Sequence, residues 1–321
     1  MKRLLSILLV AVMALLLAAC GEKTNSPGSS APEGQDKQFT VAINNWGQAN
    51  FFARVGKTSM EDELNKLGCK VVATVTDNTA DRTDAIENMI QQGVDAIIIA
   101  EGDITECEAA ILEAREAGIV IGSMDAGTAD YVDIYVSSDN ANLGQVTAEK
   151  MVEAIGGKGK IVEIITESGS MIRQRRDAMH DVIEGTEVEV AYSLNYNWPD
   201  YYADIKSKVE AVLQANPNPG DISAIFASFD GVGIAAYDAI KEAGLQDSIV
   251  IVGVDGDPDA YKLMQEEGSN YLCTVAQDPE TIARTCCQKV VDLLNGKSLE
   301  SNVIYIPGIL VTRDNVDQYA E

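Results

Sequence analysis

Only one histidine, His180, occurs in 321 residues. Any Ser-His-Asp or Cys-His constellation would have to use it. None of the GxSxG, HExxH or GxxxxGK[ST] patterns that organise acyl, zinc or phosphate chemistry is present. No enzyme is expected, and His180, within the helical pattern Ser170 to Ile183, reads as a helix-surface residue. Basic residues are scarce as well: 24 Lys and Arg stand against 50 Asp and Glu, a formal net charge of −26. So acidic a chain repels phosphate backbones and anionic headgroups, which argues against nucleic acid and against a membrane-surface helix. Cysteines number six, with no CxxC among them. Setting Cys20 aside, the remaining Cys69, Cys107, Cys273, Cys286 and Cys287 are odd in number and sit in apolar patterns, as buried thiols do. Asp255, Asp257, Asp259 and Glu266 have the spacing of a calcium loop, but Ala260 stands where glycine is needed and Pro258 intervenes. No metal and no cofactor are expected.

What is present begins with a leader. Met1 to Cys20 has a basic start, Lys2 and Arg3, followed by an apolar run of about sixteen residues, short for a spanning helix but suited to a signal peptide. It ends Leu17-Ala18-Ala19-Cys20-Gly21, which resembles the lipobox of bacterial lipoproteins. The resemblance implies cleavage before Cys20, acyl chains such as palmitate on its thiol and new amino terminus, and an anchor on the outer face of the cell membrane; stable anchoring takes more than one chain. Residues 21–38, GEKTNSPGSSAPEGQDKQ, hold no aliphatic side chain larger than alanine. They read as a flexible tether spanning roughly 23 Å.

From Phe39 the pattern alternates strand and helix. Strands are expected at Phe39 to Ile43, Lys70 to Val75, Ala96 to Ala100 and Ile119 to Ser123, with helices between them stopping at Gly68, Gly93 and Gly118. The pattern restarts around Ser137-Ser138-Asp139-Asn140. Helix Leu143 to Ile155 and a GGKGK turn precede strand Ile161 to Ile165, helix Ser170 to Ile183 and strand Glu187 to Ser193. Helix Pro199 to Ala215, strand Ala224 to Ala227, helix Gly231 to Ala243, strand Ile249 to Val254, a short helix and strand Tyr271 to Ala276 follow. A long helix to Leu294, two short β segments and a tail helix close the chain. Regular alternation of this kind predicts an α/β fold with two Rossmann-like lobes, each a parallel sheet of about five or six strands.

At this point the chain resembles the sugar-binding periplasmic proteins and lipoproteins of the ribose- and galactose-binding type, over nearly all of Phe39 to Val311. The resemblance rests on Asn50-Phe51-Phe52, Gln92-Gly93-Val94-Asp95-Ala96-Ile97-Ile98, Ser138-Asp139-Asn140, Ala224-Ile225-Phe226-Ala227, Val252-Gly253-Val254-Asp255-Gly256 and Thr274-Val275-Ala276-Gln277-Asp278-Pro279, in that order. It implies a type I periplasmic binding protein: a first lobe from residues 39–138 and 278–306, a second from 139–277 and 307–321, and a three-crossing hinge near Ser138, Gln277 and Pro307-Gly308. It also implies a monomer that closes on a monosaccharide or polyol and delivers it to the permease of an ABC transporter. An alternative output is a sugar-sensing receptor serving a sensor kinase or chemoreceptor. A repressor of the same fold would need a basic helix-turn-helix where this chain has its leader and tether.

A sugar offers hydroxyls that donate and accept, and a C–H face that stacks on rings, so its site needs carboxylates, amides and aromatics. The resemblance carries hydroxyl-binding roles onto Asp125, Asp255 and Gln277, and a guanidinium role onto Arg175, with Arg173 and Arg176 as alternatives for the inward arginine. Stacking falls to Phe51 or Phe52 and to Trp198, with Trp46 and Phe229 as further rings; Asn140 belongs to the hinge. Two departures speak against ribose itself: Ala100-Glu101 stands where the family often has asparagine, and Ala126 where ribose binders have arginine. Replacing the lipidated residue tests the anchor: Cys20→Ser is expected to release the protein to the medium or leave its leader uncut, and a variant still acylated and membrane-bound would refute it.

Overall fold

The computed structural model describes residues 38–320; the leader, Cys20 and the tether up to residue 37 lie outside them. Strand β1 (Thr40–Trp46) is followed by α1 (Phe51–Lys66), β2 (Lys70–Thr76), α2 (Thr79–Gln91), β3 (Ala96–Ala100), α3 (Glu108–Glu116), β4 (Val120–Met124) and β5 (Ile134–Ser138). The chain continues through α4 (Asn140–Ala154), β6 (Lys158–Ile165), α5 (Ser170–Ile183), β7 (Glu187–Asn195), α6 (Tyr201–Ala215), β8 (Ala224–Ala227) and α7 (Asp230–Ala243). It then forms β9 (Val250–Asp255), α8 (Pro258–Gln265), β10 (Tyr271–Ala276), α9 (Pro279–Leu294), β11 (Val303–Ile306) and β12 (Ile309–Thr312).

These strands build two six-stranded sheets, ordered β11-β5-β4-β3-β1-β2 and β12-β10-β9-β8-β6-β7. The chain passes from the first to the second between β5 and β6, returns between β10 and β11, and crosses again at Pro307-Gly308. The last crossing corrects the expectation of wholly parallel sheets, because β12 runs antiparallel to β10, with Ile309 opposite Ala276 and Thr312 opposite Cys273. Two residues cannot span a crossover. The chain therefore leaves one sheet at its carboxyl edge and enters the other at the same edge, running backwards.

Each sheet is covered by helices on both faces, so its central strands are apolar on both sides. In β3, Ile98 packs with residues of α1 and α9, such as Met60 and Cys286, while Ile97 and Ile99 pack with Ile86 of α2 and Ile111 of α3. All five described cysteines are free and buried. Helices start on side-chain caps: Asn50 accepts from the Ala53 N–H at 2.7 Å, Asp139 from Asn142 at 3.0 Å, and Asp278 from Thr281 at 2.9 Å beside Pro279.

Several elements differ from the sequence pattern; β1, for one, runs to Trp46 rather than Ile43. Strand β5 has no counterpart in it, because its last residues, Ser137 and Ser138, are polar; burial and hydrogen bonding inside the protein make them core residues. The expected GGKGK turn is partly strand, since β6 already begins at Lys158 beside Glu187 of β7. Helix α6 starts at Tyr201 rather than Pro199.

Helices α4 and α5 approach closely at Gly144, where an added Cβ would lie 2.3 Å from the Arg175 carbonyl oxygen. Backbone is the neighbour there, so no side chain can yield. Gly144→Ala is expected to push α5 outward and destabilise the fold by about 1–3 kcal/mol, checked by the urea midpoint; an unchanged midpoint would show that the two helices separate freely.

Candidate functional site

The carboxyl ends of the two sheets face one another across a cavity of about 370 Å³, lined by residues from both. Strand ends of open α/β sheets are where ligands collect. Three non-glycine residues among those described have a left-handed backbone: Glu101 (φ 58°), Asp125 (φ 52°) and Asp255 (φ 128°). They follow β3, follow β4 and end β9, and all three line the cavity. Such conformations cost about 1–3 kcal/mol each and cluster at functional sites. The same local strain thus turns three acidic side chains into one space, where they are 8%, 3% and 4% exposed.

Arg175 on α5 stands opposite them, 2% exposed. Its Nε donates to Asn140 Oδ1 and its Nη1 to the Ser228 carbonyl, both at 2.8 Å. Nη1 also lies 3.6 Å from Asp255 Oδ1. Gln277 Nε2 donates to that same oxygen at 2.8 Å, bridging the ends of β9 and β10. Asp125 accepts from Ser137 Oγ and, at 3.2 Å, from Asn140 Nδ2. Burial pushes Asp255 up to about 7, with Arg175 and Gln277 drawing it back. Burial raises Asp125 too, and the Arg175 charge opposes it. Glu101 is held well above the usual carboxylate range by burial and then by the Asp125 and Asp255 charges.

Rings close the space. Phe52, Trp46, Tyr196, Trp198 and Phe229 line the cavity; Phe51, one residue and about 100° round the helix from Phe52, does not. Trp198 stacks on Tyr201 at 5.9 Å, and Phe229 meets Tyr196 edge-on at 5.3 Å. Trp198 also reaches the first sheet: a Cβ at Gly47, whose φ is +66°, would lie 2.3 Å from its ring. One face of Trp46 carries the Arg82 guanidinium at 4.6 Å. Trp198 Nε1, Gln277 Oε1 and Glu101 Oε1 are buried with no hydrogen-bond partner among the described residues. Unpaired buried groups of this kind are costly unless a ligand meets them.

Of the residues singled out in the sequence, Phe52, Asp125, Arg175, Trp198, Phe229, Asp255 and Gln277 come together in this cavity, and so does Trp46. The neighbouring arginines turn elsewhere: Arg173 pairs with Asp103 at 2.5 Å, and Arg176 with Glu167 at 2.6 Å and Asp177 at 2.8 Å. Asn140 does not line the cavity but orients both Arg175 and Asp125. Helix α8 is capped by Asp257, which accepts from the Asp259 N–H at 2.9 Å, so Asp255 is not engaged as its cap. His180 lies on Glu163 at 2.7 Å, outside the cavity. Sequence reasoning missed several lining residues, among them Asp77, Asn78, Thr166 and Asn197 from loops between elements, and two that bear on the chemistry, Glu101 and Tyr196. Glu101 counts there as the loss of an amide, although its place after the AIIIA strand already marks a strand end; Tyr196 is hidden because β7 runs two residues beyond the expected Ser193.

Two halves with mostly parallel sheets, facing across a polar, ring-lined cleft, define a solute-binding protein of the two-lobed kind. Residues 39–298 match the family described as the periplasmic binding protein domain, and the chain belongs to that family. It is 28% identical over 307 residues to the ribose import binding protein of Bacillus subtilis, covering 94% of this chain and 97% of that protein. It is 26% identical over 308 residues to the xylitol-binding protein of Mycolicibacterium smegmatis, covering 94% of this chain and 83% of that one. Among solved structures, an ABC transporter solute binding protein from Agrobacterium vitis with bound allitol superposes with a TM-score of 0.84 at 28% identity, covering 88% of this chain and 98% of the other.

The Asp255 turn is itself held from behind by Asp230, which does not line the cavity and which the sequence pattern did not single out. Its Oδ2 accepts from the N–H groups of Gly256 (2.9 Å) and Asp257 (2.8 Å) and from Thr274 Oγ1 (2.9 Å). Its Oδ1 accepts from Tyr271 at 2.8 Å. Removing it strands several buried donors at about 1–3 kcal/mol each. Asp230→Ala is therefore expected to lose about 3 kcal/mol or more in urea unfolding and to weaken ligand binding as the Asp255 turn relaxes; wild-type stability in that variant would refute the role.

Proposed function

We propose that this protein is an extracytoplasmic solute-binding lipoprotein. It captures a monosaccharide or related polyol by closure of its two halves and delivers the ligand to an ABC importer. The observation that carries this reading is the convergence, in one cavity, of strand-end carboxyls, a buried guanidinium and aromatic rings drawn from both sheets. Carboxylates and Arg175 suit paired hydroxyls, and the rings suit the C–H face. Contacts made by both halves exist only when the cleft is shut, so a ligand bridging them shifts the population toward closure.

The halves correspond to lobes of residues 39–138 with 278–306 and of 139–277 with 307–321, hinged where the chain passes between the sheets. The protein acts as a monomer whose closed shape a permease reads, with Cys20 holding it to the membrane through its acyl chains and the tether. Relatives named as import binding proteins favour import over output to a sensor kinase or chemoreceptor. The cavity's size and the ring of Trp198 favour a six-carbon sugar or polyol over ribose.

A thermal-shift screen over pentoses, hexoses, furanoses, inositols and alditols tests the class, since a ligand at 100 times its Kd adds ~2.7 kcal/mol. Both tryptophans, Trp46 and Trp198, line the cavity, so any sugar that binds is expected to change the protein's fluorescence. Asp255→Ala should weaken that sugar about 10- to 100-fold in calorimetry with the fold retained. Undiminished affinity would remove Asp255 from the site, and a screen with no binder at all would overturn the proposal.

A further inference from the structure

The buried acidic and basic groups around the cleft do not match in number. Glu101, Asp125 and Asp255 contribute three carboxyls, each nine-tenths or more buried. Against them stand two buried guanidiniums, Arg175 and Arg82, and only Arg175 lines the cavity. Arg82 is spent behind the wall: its Nε donates to Asn44 at 2.7 Å, and its Nη1 and Nη2 donate to the carbonyls of Glu101 at 2.7 Å and Ala100 at 2.9 Å. No lysine lines the cavity, and Arg173 beside it is matched by Asp103.

The shortfall is localised. Asp125 has Ser137 and Asn140 as donors, and Asp255 has Gln277 and Arg175. Glu101 lines the same cavity, and its Oε1 has no donor among the described residues. Its left-handed backbone is shared with Asp125 and Asp255 alone among the described non-glycine residues, so the chain bears local strain to put this carboxyl in the cleft. A neutral hydroxyl supplies one weak donor and no charge, so burial and the neighbouring carboxyls still drive Glu101 toward its protonated form. An ammonium supplies three donors and a full positive charge.

We propose that the cleft selects a ligand carrying one protonated amine on its carbon skeleton, an amino sugar or amino polyol, with the ammonium on Glu101 and the hydroxyls on Asp125, Asp255, Gln277 and Arg175. The inference rests on the sugar-or-polyol reading above and narrows it. Although Glu101, Asp125 and Asp255 share the cavity, no group of three His, Cys, Asp or Glu side chains among the described residues is placed to hold a metal ion, and the positive charge is assigned to the ligand. Aromatic walls add to the same preference, since rings attract cations through their faces.

Matched pairs test it on the wild-type protein: glucosamine with glucose, galactosamine with galactose, and glucamine with sorbitol, each by calorimetry at pH 7. At least one amine is expected to bind ten-fold or more tightly than its hydroxyl parent. In Glu101→Gln that ratio should fall toward one, with circular dichroism confirming the fold; should this variant not fold, the wild-type ratios alone decide. Neutral parents binding as tightly as or more tightly than every amine would overturn the amine preference while leaving sugar binding intact. Neutral sugars bound elsewhere in the screen, with silence from all three pairs, would do the same. Silence from every sugar, polyol and amine would overturn the sugar reading and this inference together.

Discussion

The Arg175 guanidinium is the contact on which the cleft depends. It is the only cation among the lining residues, it is buried, and it faces carboxyls from both sheets. Desolvating a guanidinium and carboxyls together is unfavourable unless geometry and hydrogen bonds are good. Here Asn140 and the Ser228 carbonyl fix the guanidinium plane from behind. Asn140 also donates to Asp125, so one amide couples the acid at the end of the first sheet to the base on α5. The tight approach of α4 and α5 at Gly144 sets where that base sits.

Strain is distributed in the same place. Glu101, Asp125 and Asp255 each take a backbone conformation that side chains with a Cβ avoid. A sheet end could hold glycine at such points at lower cost. Acidic residues there put carboxyls at the mouth of each strand without lengthening the loops, and Asp230 shows how the strain is held: four donors from the turn and from β10 converge on one buried carboxylate. The outer parts of the cleft are tied more lightly. Arg173 meets Asp103, Tyr201 donates to the Ala49 carbonyl at 3.3 Å, and Trp198 lies over Gly47. These contacts join the halves at their rims, where partial exposure weakens an ion pair.

The strand–helix alternation, the two sheets and most helix boundaries were legible because apolar runs, glycine stops and side-chain caps are local signals. Asp125, Asp255 and Gln277 were legible for a related reason: each polar residue ends or follows an apolar strand. Less was legible where neighbours in sequence face different ways. Phe51 and Phe52, or Arg173, Arg175 and Arg176, differ by helix rotation, and only packing decides which one turns inward. Strand β5 was obscured because its serines are polar as residues yet core as structure.

What the sequence determined by itself is the α/β architecture and the strand-end positions where polar side chains gather, because periodicity and chain punctuation act over a few residues. The tertiary structure alone decided that β12 runs backwards, that Arg82 spends its charge behind the wall, and that Glu101 joins Asp125 and Asp255 as a third buried carboxyl. Those outcomes depend on which strand ends meet across the cleft, and electrostatic balance between groups far apart in the chain is not written in any local stretch of it.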